Sequence, residues 1–551
     1  MSQSLDPARA ADAARPRRIR PAEAHAVNPV DVTPDAALTG PMTSLWRADA
    51  APVSGTEFAP GRNYDVVVVG AGITGLTTAL MLTRAGRSVA VVEAGEVGHL
   101  ATGANTGKLS LLQGTVLSRL RRSHPASLVR AYVDANRDGA AWLTAFADAA
   151  GVTYTRRTAY TYAQSDAGVA DVEREFAAAS EAGLDVRRLL PEGGTPFAVV
   201  DAVALEEQVA IDPQAVAVAL ARAFVAEGGT LHTRTRVTRA HAVPSASVDT
   251  PAGSLTAGQV VLATAAPIAV RGLYFVKTRG LRSYCVAFDV PGEVPDGLYL
   301  SADDPTRSVR SVTRADGPGE RANLVVGGNG HAVGRVDSER ERVDDLIAWT
   351  RRHFPGAEPR MRWSAQDYES LNLIPFVGAL PRGLGRIRVA TGYGKWGLSN
   401  GPAAALRLTA EITGVPWRDR PEWMNRIARR VTPPADFVRG GVENMRVGWE
   451  LAAGRIAAQR QPVPVPRPEE GQGVLASRGG SPVGVSTVDG TTRAVSAVCT
   501  HLGGTVSWND AECTWDCPLH ASRFAPDGTR IEGPATRDLR PLPRSGPPID
   551  R

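Results

Sequence analysis

The sequence predicts an α/β domain followed by a small all-β domain. Three observations carry that prediction. From Tyr64 to about residue 435, short apolar runs alternate with amphipathic helical stretches, the pattern of strand and helix layers. The first apolar run ends in a glycine-punctuated turn, Gly70-Ala-Gly72-Ile73-Thr74-Gly75. After about residue 470 the chain changes character, to short β-like runs separated by Gly, Asp and Asn turns.

Taken in order, residues 1–45 are rich in Ala, Pro and Arg with little hydrophobic periodicity, so a disordered or loosely attached tail is expected. Arg17, Arg18 and Arg20 are followed by proline and polar residues rather than an apolar stretch, so no export signal is read there. Residues 46–435 form the α/β domain. Residues 436–470 hold a helix-like run at 442–460 and then QPVPVPRPEEGQG, a semi-rigid proline-rich linker. Residues 471–551 form the all-β domain.

At 551 residues and 43% hydrophobic, the chain can bury a large core. It has no apolar run of about eighteen residues, so no membrane span is expected and a cytoplasmic location is read. The net charge of +5 comes with acids and bases interspersed, which argues against nucleic acid as a partner. Four cysteines, Cys285, Cys499, Cys513 and Cys517, are too few for a disulfide scaffold of this length, and metal binding is the better use.

The glycine turn has the context that dinucleotide binding needs. An apolar strand feeds a tight turn at Gly70, Gly72 lets the backbone approach a pyrophosphate, and Gly75 lets the following helix pack closely on the strand. Ile73 and Thr74 open that helix, whose N-terminus faces the phosphates. Glu93 closes the second strand, where a carboxylate would meet ribose hydroxyls. A second run, LVVGGNGHAVG at 324–334, could be offered as an NAD(P)H site, but no helix and acidic strand end follow it, and a turn in the substrate portion is the preferred reading.

With the βαβ unit, Thr102-Gly103-Ala104-Asn105-Thr106-Gly107-Lys108, EGGTLHTRTRV at 227–237, VVLATAAP at 260–267 and ATGYGKWGLSNG at 390–401, residues 46–430 resemble the D-amino-acid oxidase-like (DAO) family of FAD-dependent oxidoreductases. The resemblance implies a Rossmann-like, DAO-type FAD-binding fold interleaved with an α+β substrate portion. It places Thr102, Gly103 and Lys108 along the flavin, Val237 against the adenine, and Thr264 on a later FAD-contacting turn. Gly394, Trp396 and Gly397 would open a helix whose N-terminus points at the flavin ring. Of 62 basic residues only Lys108, Lys277 and Lys395 are lysines. All three fall beside these stretches, and Lys395, with Lys277 second, is the candidate for tuning the flavin.

The most specific motif is C-terminal. Cys499-Thr-His501 and Cys517-Pro-Leu-His520 each place a cysteine and a histidine on one loop between short β-runs. Structural zinc accepts the same ligand types, but usually pairs Cys with Cys and His with His. Here each loop mixes them, as in the Rieske [2Fe–2S] family, which this region resembles from about 470 to 545. One iron takes the two thiolates and the other the two imidazoles, which lifts the potential to roughly −150 to +300 mV. The resemblance also gives Ser522 a hydrogen bond to a cluster sulfur. Where respiratory-type members have two more cysteines in a disulfide, this chain has Gly504 and Leu519, which suggests a lower potential; Ala521 replaces a common glycine.

Together these features suggest oxidation of an amine or amino acid at FAD, with electrons passed to the Rieske cluster and on to an external protein or quinone acceptor. Substrate contacts are expected from 150–200 and 270–360. Arg282 would clamp a carboxylate bidentately, beside Tyr284, with Tyr162, Tyr274, Gln366 and Tyr368 as further candidates. Two other readings stay open: an electron-transfer component serving an oxygenase or quinone, and a Rieske domain that only docks a partner.

Overall fold

The computed structural model describes residues 42–48, 50–268, 272–314, 321–428, 463 and 465–543. Most of the expected tail, the helix-like run at 442–460 and most of the proline-rich linker lie outside them. The end of the expected tail does not hang loose: Ser44 Oγ donates to the Gly103 carbonyl (2.5 Å) and Trp46 Nε1 to that of Asn105 (2.6 Å).

The dinucleotide half is an eight-stranded sheet. Its central strand, Asn63–Val69, runs parallel to Val89–Val92 on one side and Gly253–Leu262 on the other. Thr230–His232 extends it beyond Val89–Val92, and Ile387–Thr391 beyond Gly253–Leu262. Val66, Val67, Val68, Val91, Val260 and Val261 are almost fully buried, as strands covered on both faces must be. The helix Ile73–Arg84 packs one face and shares an apolar core with Gly397–Ile412, so both helices start beside the carboxyl ends of the parallel strands. That crevice is where open α/β sheets bind ligands.

The substrate half is a nine-stranded mixed sheet in which Thr278–Asp289 is flanked antiparallel by Arg321–Ala332 and Glu358–Ser370. The second glycine run lies inside Arg321–Ala332, where Gly327 pairs with Cys285 and Gly328 with Tyr284. Up to Ala332 it is therefore a strand rather than a turn, with no helix following it directly as a dinucleotide turn would require.

The C-terminal region contains two small antiparallel sheets, Gly473–Arg478 with Ser481–Val488 and Thr491–Ser496, and Ser507–Asn509 with Thr514–Asp516, Arg523–Phe524 and Arg530–Glu532. Trp515, Phe524, Val506 and Ala535 fill the core between them. This region packs on the substrate sheet through polar contacts: Asp510 Oδ1 accepts from the backbone N–H of Glu339 and Arg340 at 2.9 Å each, and Ser338 Oγ donates to Asp510 Oδ2 at 2.7 Å.

Candidate functional site: one cavity, two domains

A cavity of about 880 Å3 runs along the crevice, within the size range of cofactor sites. Gly70, Gly72, Ile73 and Thr74 line it at one stretch, with Glu93, Thr102 and Val237. Gly70 has φ +105°, and a Cβ there would meet the Ala263 carbonyl oxygen at 2.5 Å. A Cβ on Gly75 would meet the Gly70 oxygen at 2.0 Å, so Gly75 is a packing glycine behind the turn. Gly103 also sits behind the wall, against Gly98 and Gln214, rather than in it.

The helix Ile73–Arg84 carries no cap from its own N-cap residue and no acid in its first turn, and its Ile73 amide donates to Thr102 Oγ1 at 3.0 Å, which lines the cavity beside it. Glu93 holds the turn closed: its carboxylate accepts from the amides of Ala71 and Gly95, each at 2.7 Å. Burial pushes its pKa up, against those two bonds.

Farther along, Thr264, Gly394, Lys395, Trp396 and Gly397 line the cavity, and the helix beginning at Gly397 likewise carries no cap from its own N-cap residue. Lys395 adopts φ +76°, a left-handed conformation rare outside glycine, and its amide donates to Asp367 Oδ2 at 2.5 Å. Its side chain opens into the cavity while protein encloses it, and that burial draws the ammonium down despite Glu369 and Asp367 nearby. Lys108 is enclosed too: Nζ donates to the Tyr299 carbonyl (2.6 Å) and Ser308 Oγ (2.7 Å), and burial, helped by Arg310, lowers it to about 7. Lys277 is not part of the cavity lining and lies over the Tyr274 ring.

Arg282 is the clearest correction. It does not face the cavity but is fully buried against the C-terminal domain, in ion pairs with Glu512 and with Asp516 (3.2 Å) and a bond to Gln366 Oε1 (2.8 Å). A guanidinium spent in this way cannot clamp a substrate. Leu281, Ser283 and Cys285, which alternate with Arg282 along the strand, take the cavity side. Tyr284 contributes to the wall, yet its ring stacks on His331 and its hydroxyl bonds His331 Nε2 at 3.0 Å.

Tyr162 and Tyr274 are core residues, and Gln366 and Tyr368 both donate to the Ala521 carbonyl. Among the charged groups lining the cavity, Arg119 and Arg279 flank Glu369 at 2.9 and 3.7 Å, with Asp367 close by. Arg119 lies outside both expected substrate segments. Nothing local in the sequence distinguished it.

In the C-terminal domain, Cys499, His501, Cys517 and His520 come together on two loops. The neighbouring Cys517 thiol lowers the Cys499 thiol's pKa, helped by the Ser522 hydroxyl, which accepts from the Ala535 amide at 3.0 Å, and the rings of His501 and His520 lie 5.0 Å apart. Burial holds His501 at about 4 and His520 at about 3, so both imidazoles are neutral at pH 7, the metal-binding form. His501 Nδ1 is buried with no hydrogen-bond partner among the described residues. No group of three or more His, Cys, Asp or Glu is arranged around one ion among the described residues, whereas a [2Fe–2S] cluster asks only two protein ligands of each iron. Leu519 lies over Gly504, where a Cβ would meet its Cδ1 at 2.5 Å, so a leucine fills the place of the missing disulfide.

The two centres meet. Phe275 of the first domain sits edge-on to both histidines, 4.9 Å from each ring. Ala521 has φ +59°, and its methyl occupies the space left by Gly280, where a Cβ would fall 2.3 Å from it. Arg530, Ile531, Glu532 and Gly533 of the second domain complete the cavity wall.

Residues 65–411 match the family described as FAD dependent oxidoreductase (DAO), and residues 463–543 the Rieske [2Fe-2S] domain. The chain belongs to the DAO family. Its first domain takes FAD and its Rieske domain a [2Fe–2S] cluster. A Bacillus subtilis protein named for its Rieske 2Fe-2S iron-sulfur character, YhfW, is 27% identical over 91% of this chain and 97% of its own length. The DAO domain is similar in fold to glycine oxidase from Geobacillus kaustophilus (20% identity, TM-score 0.56, covering 67% of this chain and all of that one). It is also similar to L-amino acid deaminase from Proteus myxofaciens (18%, TM-score 0.52, 66% and 93%). Among the described residues no helix is long and apolar enough to cross a membrane.

Proposed function

We propose that this FAD-dependent oxidoreductase oxidises an amine or amino acid and passes the electrons to its own Rieske cluster, from which an external acceptor draws them. The observation that carries the reading is the contact of both cluster histidines with Phe275 of the DAO domain. FAD supplies a two-electron acceptor and the cluster a one-electron relay. The chain's own residues bind, orient and enclose. Arg119 and Arg279, partly exposed in the cavity beside Glu369, are the cations available to an anionic substrate group. Asp367, raised to about 6 by burial, and Lys395 place a carboxyl and an ammonium side by side, a pair able to hold a proton near neutral pH. The glycine oxidase and L-amino acid deaminase folds favour amino-acid-like substrates over other classes.

An anaerobic absorbance titration with a panel of amines, amino acids and NAD(P)H tests this. Bleaching of the flavin and Rieske bands by an amine or amino acid is expected. Bleaching by NAD(P)H alone would make the chain an electron-transfer reductase instead.

A further inference from the structure

The dinucleotide end of the cavity is built from both domains. Arg236, one residue before Val237, lines it, and its Nη2 donates to the carbonyls of Arg530 (3.3 Å) and Ile531 (3.2 Å) across the domain boundary. Arg530 lines the same wall and is only 6% exposed. Its Nη1 donates to the Ala535 carbonyl at 2.7 Å, while Nε has no hydrogen-bond partner among the described residues. Burial lowers both guanidiniums, Arg530 to about 10; Glu93 and then Asp538 favour Arg236, whereas Arg236 disfavours Arg530 and Asp538 partly offsets it.

The acids nearby are largely engaged. Glu93 is held by the amides of Ala71 and Gly95, and Asp538 Oδ1 accepts the Arg530 amide at 2.9 Å. Two like charges gathered at a buried cavity wall cost free energy unless an anion answers them. The anion this family brings to the cavity is the pyrophosphate-linked dinucleotide.

We propose that the Rieske domain is a structural part of the FAD site: Arg530, with Arg236, forms a two-domain cationic pair that binds the anionic part of FAD, so that FAD binding and Rieske docking reinforce each other. The linkage is reciprocal by thermodynamic necessity, so whatever affinity docking gives to FAD, FAD returns to docking. It does not depend on which substrate is oxidised.

The first test titrates deflavinated, cluster-loaded full-length protein with FAD. Arg530→Gln should raise the FAD dissociation constant at least about ten-fold and flatten its salt dependence, with the Rieske absorbance and EPR spectrum unchanged. A constant within two-fold of the unaltered protein overturns the proposal. The second test needs no substitution: amide hydrogen exchange of the Arg530–Glu532 strand should slow at least about five-fold when FAD is added. Unchanged exchange overturns the proposal as well. Should Arg530→Gln lose its cluster, the exchange measurement decides alone.

Discussion

The strand Thr278–Asp289 presents two faces with opposite chemistry. Leu281, Ser283 and Cys285 look into the FAD cavity, small or apolar groups that leave room, whereas Arg282 is buried in a cage of Glu512, Asp516 and Gln366 from both domains. One face makes space for a cofactor and the other ties down the domain that drains it. The difference teaches that an arginine on a central strand is not evidence of a substrate clamp until its face is known. Strand alternation decided that here, with Arg282 on the face opposite Leu281 and Ser283.

The comparison is broken most severely by Arg282→Met. It leaves Glu512 and Asp516 buried with only Arg523 to answer them, and should destabilise domain docking by about 3 kcal/mol. Thermal unfolding followed at the Rieske and flavin bands should then show two separated transitions in place of one. If Arg282 served substrate instead, stability would hold and KM would rise.

Gly280→Val attacks the same interface without touching charge. Its side chain would collide with the Ala521 methyl, so flavin-to-cluster electron transfer should slow at least about ten-fold at saturating FAD with the cluster retained. Stopped-flow reduction of the two bands reads this directly.

On the cavity side, Lys395→Met should leave unfolding nearly unchanged but lower the flavin reduction potential or its oxygen reactivity, by up to about ten-fold in rate, because it removes an ammonium that lines the cavity beside Asp367 and Trp396. Potentiometry and oxygen consumption check it.

The smallest effect is a pH dependence. Burial, with Asp516 and Asp510 nearby, pushes Glu339 up to about 8, so the native state holds a proton that the unfolded chain has released by pH 5. Stability therefore falls as pH rises from about 4.5 to 8, and Glu339→Gln should flatten that fall. Glu512 runs the other way. Burial alone would raise it, but Arg523 and Arg282 hold it at about 2, so its contribution is present above pH 4.5 and lost as pH falls toward 2. Denaturant midpoints measured across pH 3–9 separate the two.

The sequence was most legible where chemistry forces local spacing. The glycine turn, Glu93 and the two Cys/His loops each depend on residues a few positions apart, and the structure brings each set together. The substrate end was not legible, because Arg119, Arg279, Asp367 and Glu369 converge from a helix and two strands far apart in the chain. Phe275 and Arg530 were missed for a related reason: a domain interface has no sequence period. Ala521 was the exception in part. Its departure from a common glycine was visible, and Gly280 is the partner that explains it.

The central claim is that the two centres form one fixed electron path within a single chain. Flash photoreduction of the flavin under anaerobic conditions, with the Rieske band followed in time, tests it most directly. A cluster reduction rate that is first-order and independent of protein concentration is predicted. A rate that scales with concentration, or a cluster that stays oxidised beside a reduced flavin, would contradict it.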